Sequence, residues 1–210
     1  MKAKLYIVGA GSVGGHIAHN IDGYGNKYKI AGLFDDDPDK IGDEMFGYPV
    51  IGSTDDALEL EDAHVAVGIA FPKVKEVVIQ KLSENETLIF PSLVHEKAWV
   101  SKDVSIGKGS VIYPGSSINY GSDIGEFVVM NMNCALGHHT KVGHFSSLAP
   151  SVSTGGHTSI GDCVDVGIGA CTIQNIEIGK GCIIGGQSMV INSVPSGTTV
   201  AGVPSKQINS

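Results

Sequence analysis

Two adjacent histidines stand in the hexad Leu136-Gly137-His138-His139-Thr140-Lys141, the one hexad of its stretch with such a pair. Imidazole has its ordinary pKa near neutrality. It can therefore take the proton that an amine or hydroxyl must lose as it adds to a carbonyl carbon. His138 is the leading candidate for such a base, and His139 is the alternative. His144, one hexad on, falls on a different side and reads as a surface residue. No Ser/His/Asp or Cys/His arrangement follows from the spacing, so direct transfer without a covalent intermediate is expected. Cys134, Cys163, Cys171 and Cys182 form no C-x-x-C pair and no zinc-ligand spacing. They read as reduced thiols, with no metal site.

The second chemistry-bearing stretch is Gly9-Ala10-Gly11-Ser12-Val13-Gly14, with Asp35 lying 21 residues beyond Gly14. Gly9-x-Gly11-x-x-Gly14 matches the dinucleotide fingerprint. Its glycines let backbone approach a pyrophosphate, the helix N-terminus supplies unpaired N–H groups, and an acidic residue binds a ribose hydroxyl. Gly9, Gly11, Asp35 and Asp36 are the candidate contacts, and His16 lies close enough to the turn to face a ligand. A glycine turn of this kind also serves simply to pack strand on helix, and the Asp35–Asp37 run before Pro38 also fits a solvated turn.

The elements that must position these residues fall into two sets. Leu5-Tyr6-Ile7-Val8, the glycine turn, a helix through residues 16–21 and the apolar run 30–34 form a βαβ unit. Apolar runs at 65–70 and 88–90 flank a helical stretch at 74–82 and complete a parallel sheet. A Rossmann-like α/β domain over residues 1–92 is expected.

From Val94 onward every sixth residue is aliphatic through Val190, seventeen positions with only Thr154 and Thr172 as exceptions. Four residues after each comes a small or β-branched side chain, as at Ser110, Ser116, Ser122, Val128, Cys134, Thr140, Ser146, Val152 and Thr158. This is the hexapeptide-repeat signature, and it predicts a left-handed parallel β-helix over 93–210. Gly107, Gly125, Gly143, Gly161 and Gly179 recur every 18 residues, as do the two threonines, so three hexads make one triangular coil. The glycine column is expected to let the chain bend at one corner. Eighteen residues beyond His138 is Gly156, so a backbone N–H in Gly155-Gly156-His157 is expected one turn above His138, placed to stabilise an oxyanion. His157 falls above His139. Pro204 ends the apolar pattern and leaves a polar tail.

A net charge of −8 and pI near 5.4 give no general attraction to nucleic acid or to an anionic membrane. The N-terminal apolar run is too short for a signal peptide, and no stretch reaches membrane-spanning length, so a cytoplasmic protein is expected.

Gly9-Ala10-Gly11 with Asp35-Asp36, Gly137-His138-His139 within the repeat, and Gly202-Val203-Pro204-Ser205-Lys206 together resemble the sialic-acid O-acetyltransferase-like and nucleotide-aminosugar N-acetyltransferase family of hexapeptide-repeat acyltransferases. The resemblance covers almost the whole chain. It implies a homotrimer that takes acetyl-CoA as co-substrate along the β-helix, between neighbouring subunits. It also implies that the N-terminal domain binds a nucleotide sugar whose amino group, of the 4-amino-4,6-dideoxy type, accepts the acetyl group. By that resemblance His138 is the general base, Asn131 lies near the sugar, and Gly156 N–H faces the acetyl carbonyl. Gly202, Val203, Pro204 and Lys206 border CoA together with His157. The family usually follows its histidine with Glu or Asp, and here that place holds His139. O-acetylation of a sugar such as sialic acid is the nearest alternative. From other classes come an NAD-binding or regulatory protein and a non-catalytic scaffold.

Overall fold

The computed structural model describes residues 2–208 and divides the chain into two compact units, Met1–Pro91 and Ser92–Ser210. In the first unit, strand β1 (Ala3–Val8) runs into helix α1 (Ser12–Asn20), followed by β2 (Tyr28–Phe34), β3 (Glu44–Met45), β4 (Tyr48–Gly52), the short helix α2 (Thr54–Ala57), β5 (His64–Val67) and helix α3 (Pro72–Leu82). The sheet order is β3-β4-β2-β1-β5, parallel except for the β3–β4 pair.

Two differences from expectation have local causes. The 88–90 run makes a single bridge, Ile89 to His64, and is not a full strand. The β3–β4 ribbon was not foreseen, because its strands are short and Pro49 interrupts the apolar pattern. Helix α2 opens with a capping box, in which Ser53 Oγ accepts from Asp56 N–H and Asp56 accepts from Ser53 N–H. Leu5, Ile7, Ile17, Leu33 and Val65 are fully buried between sheet and helices. Each contributes about 1.5–3 kcal/mol by leaving water.

The second unit is the expected left-handed parallel β-helix. Its strands are two-residue pieces spaced six apart and stacked 18 apart, as in Ser117–Ile118 on Ala135–Leu136 on Ser153–Thr154. Ile112, Ile118, Ile124, Met130, Leu136, Val142 and Leu148 fill the interior. The small inward positions stitch coils together. Ser110, Ser116 and Ser146 each donate, at 2.8 Å, to a carbonyl 15 residues on, at Gly125, Asn131 and Gly161. Cys134 and Cys182 are buried at the same inward position, and burial pushes the Cys134 thiol up to about 11.

The corners bend by a different device from the one expected of the glycine column. Every sixth residue from Gly109 to Gln187 has a positive φ, including Phe127, Asn133, His139, Phe145, His157 and Cys163. That left-handed residue turns the chain. Gly107 and Gly143, two residues before it, do not need positive φ. A Cβ at Gly107 would lie 2.6 Å from the Gly125 carbonyl and Glu126 N, so the column is glycine because successive coils touch backbone to backbone.

The register holds to the last coil, where Ile183 pairs with Thr199, two residues short of a full repeat. The tail is not simply polar coil. It returns as Lys206–Gln207, antiparallel to Thr199–Ala201.

Candidate active site

In the α/β unit the glycine turn is fixed from both sides. Gly9 N–H donates to Phe34 O at 2.8 Å, and Gly68 N–H donates to Val8 O at 2.7 Å. Gly14 packs so tightly that a Cβ there would lie 2.0 Å from Gly9 O, whereas a Cβ at Gly11 would meet nothing within 4 Å. Only the first of these glycines is demanded by packing, so Gly11 is the one whose open surface is available to a ligand.

Gly9, Gly11, Asp35 and Asp36 do come together, lining a cleft of about 360 Å³ that Lys40 and Phe71 complete. The N-terminus of α1, with no side-chain cap, opens beside Gly11. Asp35, expected to bind a ribose, spends its carboxylate on the chain. One oxygen accepts from Ala10 N–H at 2.7 Å, and the other from Asp37 N–H at 3.0 Å and Lys40 Nζ at 3.1 Å. Burial alone would push its pKa up. The two backbone donors and Lys40 outweigh this and hold it below the ordinary carboxylate range. Asp36 accepts from Thr54 N–H at 2.7 Å. His16 is not among the residues lining the cleft: its Nε2 pairs with Tyr24 Oη at 2.9 Å and its Nδ1 faces Asn20. His19 packs edge-on against Phe46.

In the β-helix, His138 and His139 occupy a corner with His157 one coil above and Tyr120 one coil below. His138 Nδ1 lies 3.0 Å from His139 Nδ1. Only one of these nitrogens can carry the bridging proton. With His138 as donor, its Nε2 is left as a free base and His139 is a neutral acceptor. Tyr120 stacks on His138 with ring centroids 5.4 Å apart and planes at 11°, and His157 stacks on His139 at 4.8 Å and 11°. Both His139 and His157 take the left-handed corner conformation. Tyr120 was missed in the sequence, although its place 18 residues before His138 was a readable signal.

Gly156 sits where the 18-residue arithmetic puts it. A Cβ there would lie 2.7 Å from His138 Nε2. Of the three neighbouring amides, Gly155 N–H donates to Thr172 O and His157 N–H to His138 O, while Gly156 N–H has no acceptor among the described residues. His138 Nε2 therefore lies against a glycine whose amide is still available.

The imidazole nitrogens of His138, His139 and His157 approach within 4.8 Å of one another, a spacing that admits a metal ion. The parallel stack of His139 on His157 keeps their lone pairs in separate planes. The Nδ1 atoms of His138 and His139 are engaged with each other. As arranged, the cluster is hydrogen-bonded and stacked, not a converged ligand set.

The other named residues lie elsewhere on the prism. Asn131 stands at the corner before strand Ala135–Leu136, and His138 at the corner after it. The ladder Asn131, Ala149, Gly167, Gly185 climbs that first corner to the Gly202 turn. There Gly202 N–H donates to Ser188 Oγ and Gly202 O accepts from Met189 N–H, leaving Val203 75% exposed. Pro204 and Ser205 complete the turn, and the exposed Lys206 begins the return strand. One chain thus does not bring Asn131, Gly202, Val203, Pro204 or Lys206 to His138. His144 belongs to the third corner, where its Nδ1 accepts from Glu126 N–H.

Residues 4–82 match the PglD N-terminal domain family. Over 99% of this chain, the structure is similar to the acetyltransferase domain of PglB from Neisseria gonorrhoeae in complex with acetyl coenzyme A, with TM-score 0.91, 28% identity and full coverage of that chain. It is also similar to a histidine-to-asparagine variant of perosamine N-acetyltransferase from Caulobacter crescentus in complex with CoA and GDP-perosamine. There the TM-score is 0.90 and the identity 25%, over 99% of this chain and 98% of that one. Among curated sequences, the serine acetyltransferase of Buchnera aphidicola is 48% identical over 46 residues, 22% of this chain. The 2,3,4,5-tetrahydropyridine-2,6-dicarboxylate N-acetyltransferase of Clostridium perfringens is 41% identical over 49 residues, 23% of this chain. The chain spans only 17% and 21% of those two relatives. Among the described residues no helix is long and apolar enough to cross a membrane.

Proposed function

We propose that the protein transfers the acetyl group of acetyl-CoA to the amino group of a nucleotide-linked amino sugar of the 4-amino-4,6-dideoxy type, with His138 as general base. The observation that carries this reading is the pairing of His138 Nε2, left free by the Nδ1 contact with His139, with the unengaged N–H of Gly156. His138 Nε2 accepts a proton from the sugar amine as its nitrogen bonds to the thioester carbonyl carbon. Gly156 N–H donates to the oxygen on which negative charge develops. His138 then returns the proton to the departing CoA sulfur, so no group on the chain is acylated. His139 takes the place of the usual carboxylate by accepting from His138 Nδ1–H. It holds the tautomer without adding negative charge.

The reading assigns the nucleotide to the 1–92 domain, at the cleft of Gly9, Gly11, Asp35 and Asp36, and acetyl-CoA to the 93–210 domain. Because Asp35 and Asp36 are engaged by the chain and Lys40 by Asp35, the uncapped N-terminus of α1 beside Gly11 is the part of the cleft left to meet phosphate. The reading includes a homotrimer, and the separation of parts supports a shared site. Asn131 and the Gly202–Pro204 turn share one corner, His138 and Gly156 occupy another, and a neighbouring copy supplies the missing corner. The Caulobacter neighbour with bound CoA and GDP-perosamine supports both the acceptor class and the co-substrate.

The test is mass spectrometry of products formed from acetyl-CoA and a panel of nucleotide sugars carrying matched amino and hydroxyl acceptors. A mass gain of one acetyl group on the amino sugars supports the proposal, and acetylation confined to hydroxyl acceptors overturns the N-acetyl assignment.

A further inference from the structure

The two residues that break the aliphatic register, Thr154 and Thr172, both lie on the sheet that leads into the His138 corner. Each closes a small ring of hydrogen bonds. Gly137 N–H donates to Thr154 Oγ1 at 3.1 Å, Thr154 and Thr140 hydroxyls pair at 3.1 Å, and Thr140 Oγ1–H donates to Gly137 O at 2.7 Å. Thr140 spends its proton on Gly137 O, so Thr154 must donate to Thr140. One coil above, the pattern repeats. Gly155 N–H donates to Thr172 Oγ1 at 3.2 Å, Thr172 and Thr158 hydroxyls pair at 3.0 Å, and Thr158 Oγ1–H donates to Gly155 O at 2.8 Å. Thr140 and Thr158 are fully buried.

What each ring holds is specific. The carbonyl of Gly137 belongs to the peptide plane that carries His138 N, and the carbonyl of Gly155 to the plane that carries Gly156 N–H. Glycine has no side chain to restrict these planes, so without the hydroxyls each is fixed only by its coil-to-coil bonds. The next inward positions of the same column are Leu136 below and Val190 above, and the other two columns are aliphatic throughout. Hydroxyls in this register therefore occur only behind the two hexads that carry the base and the free amide.

We infer that Thr154–Thr140 and Thr172–Thr158 are positioning pairs, which set the backbone of His138 and the direction of the Gly156 N–H for acyl transfer. This inference rests on the function proposed above. The aliphatic repeat gives up two core methyl positions at this corner, and orientation at the reacting centre is what is gained. An amide aimed slightly wrong still belongs to a folded protein but stabilises an oxyanion poorly.

The experiment compares the full-length Thr154→Val and Thr172→Val proteins with their serine counterparts. Valine restores the repeat and removes only the hydroxyl. The expected result is a turnover about tenfold lower in each valine variant, Thr172→Val at least as severe. KM for both substrates should stay within about twofold. The thermal midpoint should be unchanged or raised, and serine should recover most of the turnover. Amide exchange at Gly137 and Gly155 should quicken in the valine proteins, a readout that does not depend on catalysis. Wild-type turnover in both valine variants overturns the inference, as does a loss that follows a lowered midpoint and is not rescued by serine. If the wild-type protein transfers no acetyl group to any acceptor, it is the functional reading that fails. Unchanged exchange at both glycines would then reject the rings separately, and quickened exchange would uphold them as orienting devices.

Discussion

The glycine turn of the α/β unit and the histidine corner of the β-helix are both built where the chain bends over glycine, yet they leave different things exposed. At the turn, the acidic side chains are consumed internally: Asp35 by Ala10, Asp37 and Lys40, and Asp36 by Thr54. What remains for a ligand is backbone, the mouth of α1 and the apolar wall with Phe71. At the corner, backbone is consumed in the coil ladder, with Gly156 N–H left over, and the side chains of His138, His139 and His157 project outward. A surface made of backbone suits a shared phosphate group and is insensitive to side-chain replacement. A surface made of imidazoles suits proton transfer and is sensitive to every one.

Breaking each region separately tests that contrast. The largest effect is expected from Gly14→Val, whose Cβ would collide with Gly9 O. Nucleotide-sugar binding should be lost in calorimetry while acetyl-CoA affinity stays within about twofold. Gly11→Ala, with open space around it, should fold normally, so that a weakened nucleotide-sugar affinity in this variant reports the ligand-facing surface and not the fold. Next, His138→Ala should lower turnover by about 100-fold or more with acetyl-CoA still bound, the usual scale for removing a general base. Steady-state rates beside CoA titrations check this, and near-normal turnover together with an inactive His139→Ala would reverse the two roles.

A smaller loss, roughly tenfold, is expected from Gly156→Ala, because the new methyl falls 2.7 Å from His138 Nε2 and must displace the ring. His139→Glu should act more gently still. Turnover near neutral pH should hold or rise, because a carboxylate in place of a neutral acceptor strengthens the hold on His138 Nδ1–H. A pH–rate profile of the variant beside wild type reads this out, and a tenfold fall would show that the imidazole itself is needed.

The least conspicuous prediction concerns acid. Asp35 has its pKa lowered by the folded state, so its contribution is complete above the unfolded value of about 3.9 and fades as pH falls through the lower folded value. Thermal midpoints of wild type should therefore begin to drop below about pH 4, and those of Asp35→Asn should start lower and fall less steeply. Parallel curves would mean that Asp35 carries none of the acid sensitivity.

Much of the corner was legible in the sequence because its logic is one-dimensional. A fixed step of 18 carries His138 to Gly156 and His139 to His157, and the fold stacks both pairs. The same step leads to Tyr120, which only a search below as well as above His138 would have found. The Nδ1 contact between His138 and His139 depends on side-chain torsions that no spacing encodes. The α/β unit was less legible, because its contacts are not periodic. That Asp35 turns back on Ala10, or that His16 prefers Tyr24 to the cleft, is decided by where distant strands end. The role of the corner glycines is hidden for a related reason: the sequence reveals that Gly107 and Gly125 recur, but only the folded coil brings them into contact.

The 18-residue ladder has a consequence for how such a chain can change length. Deleting one hexad keeps every inward residue inward, so the interior survives, but each later column advances by one corner and Gly156 no longer stands over His138. Deleting three hexads from beyond the site restores all the columns. Gains and losses in this unit are therefore quantised: six residues are acceptable to the core, and only eighteen are acceptable to the chemistry.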